Sequence, residues 1–180
     1  MVQELRIQRE LQNVVSDESL VGITLQREEN DIHHLTATII GPESTPYEGG
    51  LFRLDINLPV NYPFAPPVVR FVTKTWHPNI SNQNGDVSMN TLKGDWSPGM
   101  NLKTVLISIQ ALLSSPELSE AQNAEVALQY LRNHSTFIRN AWRWTQIYAT
   151  NIMPPPHLTN RTAAGRRMSR KPARFDDFLL

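Results

Sequence analysis

The chain has 180 residues, of which 40% are hydrophobic and 19% are charged, values that are ordinary for a soluble globular protein. This length predicts one domain with a sizeable core. No apolar run reaches the about 20 residues that span a bilayer, and the amino terminus lacks the apolar segment of a signal peptide. We therefore expect a cytoplasmic or nuclear protein. The chain has no cysteine, which excludes disulfides and thiolate metal sites.

Charge is balanced overall but unevenly distributed, with 17 basic and 17 acidic residues in total. Residues 1–160 carry a net charge of −4 and residues 161–180 a net charge of +4. We predict a folded domain over residues 1–150 and a flexible basic tail over residues 151–180, because the tail is too polar to bury a core. Its charge would suit nucleic acid, anionic lipid or an acidic partner. A solvated extension is the favoured interpretation, so we predict neither a nucleic-acid nor a membrane partner.

Hydrophobic periodicity predicts one helix and then four strands in the first 72 residues. Apolar positions at helical spacing over residues 2–15 indicate a short amphipathic helix. Alternating apolar residues indicate three half-buried strands, and "VVRFV" at 68–72 supplies a fourth. The connectors between strands are short, which favours an antiparallel meander. The inward positions are Ile7, Leu11 and Val14 in the helix and Val21, Ile23, Leu25, Leu35, Ala37, Ile39, Phe52, Leu54, Ile56 and Leu58 in the strands.

The period becomes helical beyond Trp96. Residues 101–115 carry one apolar stripe, with Asn101 or Ser97 as the candidate N-cap. Residues 121–133 and 135–149 predict two further helices. A run of strands followed by a run of helices predicts an α+β domain, with a long irregular segment at 73–100. The helical core positions are Leu102, Val105, Leu106, Ile109, Leu113, Val126, Tyr130, Phe137, Trp142 and Ile147.

Four motifs carry a resemblance that periodicity alone does not supply. They are "GPESTPYEGG" at 41–50, "YPFAPPVVRF" at 62–71, "WHPNI" at 76–80 and the run from "GDVSMNTLKGDW" to "LLSSP" at 85–116. Together they resemble the catalytic core of the ubiquitin-conjugating enzyme family, in unbroken order over residues 3–150. The spacing and the last two helices are most similar to the chain-building branch related to huntingtin-interacting protein 2 and yeast Ubc-one.

The resemblance implies an acyl transferase that uses no cofactor or metal of its own. Such an enzyme takes ubiquitin from an activating enzyme as a thioester on cysteine and passes it to a protein lysine, usually with a RING or U-box ligase. Ser88 stands at the cysteine position. Asn79 matches the side chain that orders the active-site loop or stabilises the oxyanion, and Glu120 matches the acid that orients and helps deprotonate the incoming lysine. His77 is more typical of loop bracing than of base catalysis.

The resemblance also implies two docking surfaces. An exposed phenylalanine held by prolines is a suitable anchor for a ligase. The first helix would meet the activating enzyme through Arg6 and Arg9, although a solvated helix face is an equal alternative. The predicted ligase-binding residues are Phe64, Pro63, Ser97 and Pro98.

Serine at position 88 raises three alternatives. A serine hydroxyl needs an adjacent base, whereas a thiol is already partly ionised near neutral pH. His33 and His34 lie on a predicted strand and cannot be placed beside Ser88 from the sequence, which disfavours a serine hydrolase. The chain is then either a conjugating enzyme with serine in place of cysteine, which forms an oxyester or is inactive, or a naturally inactive relative that acts as a binding module. The retention of Asn79, Glu120 and the last two helices favours the first.

Overall fold

The structure, a computed structural model, describes residues 2–150, and the predicted tail lies outside these residues. The domain division at residue 150 therefore stays a prediction. The helices are α1 (Val2–Ser16), α2 (Leu102–Ser114), α3 (Ala124–Arg132) and α4 (His134–Trp144), the last continued by a π-turn at Thr145–Ala149. The strands are β1 (Ile23–Glu28), β2 (Asp31–Ile40), β3 (Leu51–Asn57) and β4 (Val68–Phe71).

The four strands form one antiparallel sheet in the order β1-β2-β3-β4, which confirms the predicted α+β fold and its meander. The register brings inward-facing residues opposite one another, as in the pairs Ile39 with Phe52 and Leu54 with Phe71. The apolar residues whose alternation predicts the strands are therefore the residues that fill the core. The prediction for Val21 was wrong, because β1 begins two residues later and the Val21 side chain is 79% exposed.

Three helices follow the sheet, as predicted. All five predicted core positions of α2 are buried, and the helix begins at Asn101, whose side chain accepts a hydrogen bond from the backbone N–H of Thr104 at 2.9 Å. Val126 and Phe137 are buried, but Ile147 is 48% exposed and was wrongly assigned to the core. It lies in the π-turn, where helical spacing no longer predicts which residues face inward. No helix among residues 2–150 is long and apolar enough to cross a membrane.

A buried carboxylate joins α1 to the rest of the domain. Glu10 accepts hydrogen bonds from the Tyr62 hydroxyl at 2.6 Å, from the Leu102 backbone N–H at 2.9 Å and from the Arg6 guanidinium at 2.7 Å. Burial and the adjacent Glu10 raise the pKa of Tyr62. Since a buried charge is stable only when it is fully bonded, this network fixes α1 against the start of α2. Periodicity did not reveal it, because Glu10 resembles any other polar helix residue.

Candidate active site

The irregular segment between β4 and α2 holds Ser88, as predicted. Before Ser88 the chain makes a tight turn at Gly85, whose φ is +75° and whose N–H donates to the Ser81 carbonyl at 3.0 Å. A Cβ at position 85 would lie 2.0 Å from the Phe71 carbonyl oxygen, so only glycine fits there. Val87 then pairs with Ile80 in an isolated antiparallel bridge. The turn thus returns the chain alongside the "WHPNI" motif.

Ser88 is buried and has two close partners. Only 3% of the residue is exposed, and its backbone N–H donates to the Asn79 carbonyl at 2.9 Å. Its hydroxyl oxygen accepts a hydrogen bond from the Lys93 ammonium at 2.7 Å. His34 instead lies 2.5 Å from Asp55, on strands β2 and β3. The group that approaches the Ser88 hydroxyl is therefore an amine from the same loop.

Asn79 is fully buried and braces a second turn. Its side-chain amide donates to the Glu117 carbonyl at 2.7 Å and to the Glu120 carbonyl at 3.0 Å. Its side-chain oxygen accepts from the Glu117 N–H at 3.0 Å. Because both amide hydrogens are engaged, Asn79 holds the short 3₁₀ turn Leu118–Glu120 against the Ser88 loop. This geometry supports the bracing role over direct contact with an acyl oxygen.

His77 braces the same loop from inside the core. Its Nε2–H donates to the Leu112 carbonyl of α2 at 2.9 Å, and its Nδ1 accepts from the Asn79 backbone N–H at 3.1 Å. This bonding requires the neutral ring. The residue has no exposed surface, and its burial lowers its pKa from 6.5 to about 4. His77 therefore acts as a structural bridge between α2 and the loop.

The buried His77 should make folding sensitive to acid. The unfolded chain binds a proton at His77 below its ordinary pKa of 6.5, whereas the folded chain does so only near pH 4. The stabilisation is therefore complete above pH 6.5 and decreases as the pH falls towards 4, by about 3 kcal/mol in all. A glutamine side chain does not titrate. Between pH 7 and pH 4.5 the free energy of unfolding should fall in both the unaltered chain and His77→Gln. We expect this fall to be smaller in His77→Gln by about 2–3 kcal/mol.

Urea unfolding at the two pH values measures this difference. Other shifted groups, among them Asp17 and His34, are present in both proteins and cancel in the comparison. Equal losses of stability in the two proteins would show that His77 titrates normally in the folded state.

Glu120 is linked to Ser88 by Lys93, a residue that the sequence did not single out. The Lys93 ammonium that bonds Ser88 also donates to the Glu120 carboxylate at 3.2 Å. The side chain of Lys93 is 53% exposed and that of Glu120 is 27% exposed. The structure thus brings Ser88, Asn79 and Glu120 together, with Lys93 as the link. The sequence does show a lysine five residues after Ser88, but nothing in this spacing distinguishes Lys93 from a solvated loop residue.

Comparison with known proteins places this chain in a family. The family model described as "Ubiquitin-conjugating enzyme" matches residues 6–145. This chain belongs to the ubiquitin-conjugating enzyme family. The chain is 48% identical over 149 residues to ubiquitin-conjugating enzyme E2 27 of Arabidopsis thaliana, a match that covers 83% of this chain and 78% of that protein. It is 42% identical over 158 residues to the Homo sapiens E2 K, with 87% and 79% of the two chains covered.

Solved structures give the same result for the fold. The E2 domain of a Toxoplasma gondii ubiquitin-conjugating enzyme superposes with a TM-score of 0.74 at 43% identity, covering 81% of this chain and 98% of that one. A putative ubiquitin-conjugating enzyme from Plasmodium yoelii gives 0.79 at 43% identity, covering 84% and 98%. The predicted family and the predicted ubiquitin-conjugating fold are confirmed. Ubiquitin, an activating enzyme and a ligase are partners that membership of the family implies in general.

The predicted ligase-binding residues of this ubiquitin-conjugating domain lie on two loops that are bonded together. Phe64 is 78% exposed, and the carbonyl of its neighbour Pro63 accepts a hydrogen bond from the Trp96 indole at 2.8 Å. Ser97 and Pro98, next in sequence to Trp96, are both exposed. We call these four predicted residues, which lie on the loops at 61–66 and 96–100, the loop surface.

Arg6 supports this loop surface from α1. Its guanidinium donates to the Pro98 carbonyl at 2.7 Å and to the Met100 carbonyl at 2.9 Å, besides its bond to Glu10. Arg9 lies on the same helix and is exposed. The contact of both arginines with an activating enzyme stays a prediction, and for Arg6 the structure adds a role in holding the 96–100 loop. Among residues 2–150 there is no group of three or more acidic, histidine or cysteine residues that could hold a metal ion.

Proposed function

We propose that this chain is a ubiquitin-conjugating core whose acyl-carrying residue is at position 88. The observation that carries the proposal is the link from Ser88 through Lys93 to Glu120, with 2.7 Å and 3.2 Å between the bonded atoms. The hydroxyl of Ser88 and the carboxylate of Glu120 are both within hydrogen-bond distance of one amine. A transferase that moves an acyl group from residue 88 to a lysine needs its acyl-carrying residue and its acid within such a distance of the attacking amine.

The reaction at residue 88 begins with ubiquitin held as a thioester by the activating enzyme. The oxygen of Ser88 attacks the thioester carbonyl, a C–O bond forms, the C–S bond breaks, and the hydroxyl proton leaves with the thiolate. The resulting oxyester is less reactive towards amines than a thioester, because the alkoxide is the poorer leaving group. We therefore expect this form to charge slowly and to discharge slowly, or not to charge at all.

Transfer to substrate requires a neutral lysine beside the acyl carbon. Glu120 is placed to orient that lysine and to accept its proton. Asn79 contributes to this step by positioning Glu120, because its side chain fixes the backbone of residues 117 and 120. We assign Ser88 and Glu120 to the chemistry and Asn79 to positioning. The partners are ubiquitin, an activating enzyme, a RING or U-box ligase and a substrate lysine, within the chain-building branch.

A naturally inactive member of the family that serves as a binding module is the alternative. The serine at position 88 favours it, since a hydroxyl is a weak nucleophile without a base. The bonded arrangement of Asn79, Glu120 and Lys93 favours the enzyme, because a binding module has no need of it. The codon at position 88 in the genome distinguishes the two: TGT or TGC means replacement of a cysteine, and a serine codon means a natural variant.

Charging with activating enzyme, ATP and ubiquitin tests the proposal directly. We expect Ser88→Cys to form a reductant-sensitive adduct, and an adduct of the parent chain, where it forms, to survive reductant, to disappear with hydroxide and to be absent from Ser88→Ala. The properties of this adduct identify an oxyester on Ser88. If the parent chain and the Ser88→Cys variant both fail to charge while the fold and the binding of activating enzyme are intact, the binding module takes the place of the enzyme.

A further inference from the structure

The oxygen of Ser88 has a proton donor beside it, the Lys93 ammonium, at 2.7 Å. Lys93 follows the 3₁₀ turn Asn90–Leu92, and its backbone N–H donates to the Asn90 carbonyl at 2.9 Å. Leu92 is buried and packs within the hydrophobic core, so the turn that carries Lys93 is anchored. The ammonium therefore lies next to the oxygen that has to leave when an acyl group on Ser88 is transferred.

We infer that Lys93 is the general acid of discharge, which protonates the oxygen of Ser88 as its bond to the acyl carbon breaks. The inference rests on the proposed function and adds a catalytic residue to it. Lys93 touches the reacting oxygen directly, so its role differs from the positioning role of Asn79. With this donor in place, serine can carry and release an acyl group, although more slowly than cysteine.

The difference between oxygen and sulfur explains why the leaving atom needs a proton donor in this chain. A thiol ionises near neutral pH, so a thiolate leaves without being protonated. An alkoxide is a much stronger base than a thiolate or an amine, and it leaves readily only when a proton reaches it during bond cleavage. An ammonium at hydrogen-bond distance supplies this proton, and its positive charge stabilises the negative charge that develops on the oxygen.

Glu120 completes a path that returns a proton to Lys93, because its carboxylate lies 3.2 Å from the ammonium. The incoming amine forms the C–N bond and loses a proton to Glu120. The C–O bond breaks, its electron pair stays on the Ser88 oxygen, and that oxygen takes a proton from Lys93. The neutral amine of Lys93 then recovers a proton from Glu120. An ester and an amine thereby become an amide and a hydroxyl, and both side chains return to their starting charge.

The two other lysines among residues 2–150 supply matched controls. Lys103 pairs with Asp17, and the Lys74 ammonium lies 5.6 Å from the ring centre of Tyr148, so neither contacts the Ser88 oxygen. Arginine keeps the positive charge of lysine but does not release a proton in proteins. Lys93→Arg therefore separates proton transfer from the effect of charge, and Lys103→Arg and Lys74→Arg make the same change away from the site.

The test measures a single round of discharge. The full chain and its Ser88→Cys variant are charged with activating enzyme, ATP and ubiquitin, ATP is then removed, and free lysine is added. The rate is measured as formation of the ubiquitin–lysine product, so that other losses of the ester do not count. Lys93→Arg should slow discharge of the parent oxyester by about a hundredfold.

The slowing by Lys93→Arg should be at least ten times smaller in the Ser88→Cys background, because a thiolate leaves without a proton. Lys103→Arg and Lys74→Arg should discharge at the parent rate in both backgrounds. A residue that only held the loop in shape would affect the ester and the thioester alike, so the comparison of the two backgrounds distinguishes acid catalysis from support of the loop.

Each possible failure has its own meaning. Equal slowing in the two backgrounds would show that Lys93 only supports the site, and an unslowed oxyester in Lys93→Arg would show that no proton from Lys93 is needed. Either result overturns the inference and leaves the proposed function standing. The same proton transfer runs in reverse when the ester forms, so a parent chain that never charges while Ser88→Cys does also overturns the inference alone. If Ser88→Cys forms no thioester, the proposed function and the inference are both wrong.

Discussion

Replacing Ser88 with cysteine is expected to convert the chain into one that forms a reductant-sensitive thioester with ubiquitin. The reason is local. Sulfur is the better nucleophile near neutral pH and the better leaving group when a lysine attacks. Ser88 is held in place by its backbone bond to Asn79, which a cysteine would also make. We therefore expect no other change to be necessary, and a non-reducing gel to show charging that is much faster than that of the parent chain.

The restored enzyme should depend on the groups around position 88. In the Ser88→Cys background, replacing Glu120 with alanine should slow discharge to free lysine by about tenfold to a thousandfold with little change in stability, because a partly exposed carboxylate is lost. Asn79→Ala should slow discharge by a similar factor and should also destabilise the domain, because three partly buried hydrogen bonds are lost. Thermal unfolding separates the two effects.

A matched control strengthens this interpretation of Glu120. Glu117 lies in the same turn, and its backbone, not its carboxylate, is bonded to Asn79. Glu117→Ala should leave the rate of discharge within about threefold of the parent if the acid requirement belongs to Glu120. A Ser88→Cys variant that folds and binds activating enzyme but does not charge would instead favour the inactive binding module.

The fold was largely predictable because burial alternates regularly along the strands. Leu54 and Ile56 face the core in β3, and their partners across the sheet, Ala37 and Leu35, face it as well. Such periodic burial is visible in the sequence. Val21 and Ile147 were wrongly placed for a common reason. Each continues an apolar pattern beyond the end of its regular element, and the pattern itself does not mark that end.

The site was predictable only where it matches a family motif. Ser88, Asn79 and Glu120 follow from motif positions, and the structure brings them together. Lys93 and the buried Glu10 network were missed, because their roles depend on partners up to 92 residues away in sequence, such as Leu102 for Glu10. A single sequence gives residue types and local spacing. It does not show which polar side chains meet once the loops have folded, so such pairs become visible only in the structure.

Truncating Phe64 is expected to abolish ligase-stimulated transfer by the Ser88→Cys variant. Phe64 is 78% exposed on its loop, so it contributes little to the core, and its removal should change the free energy of unfolding by less than about 0.5 kcal/mol. An exposed aromatic side chain on a rigid loop is a typical anchor for a protein partner. The loop is rigid because Pro63 accepts the Trp96 indole hydrogen bond at 2.8 Å.

The measurement compares discharge of the charged Ser88→Cys variant with and without a RING ligase that binds the parent. In Phe64→Ala, the stimulation of discharge by the ligase should be at least tenfold weaker. Its unstimulated discharge should be unchanged, because the anchor is not part of the acyl-transfer chemistry. Val60 is a matched control, since it lies on the same connector and is 89% exposed but was not predicted to bind the ligase. Val60→Ala should therefore retain stimulation. If Phe64→Ala instead unfolds several degrees lower and keeps its ligase affinity, Phe64 packs within the domain, and the partner recognises the other part of the loop surface, Ser97 and Pro98.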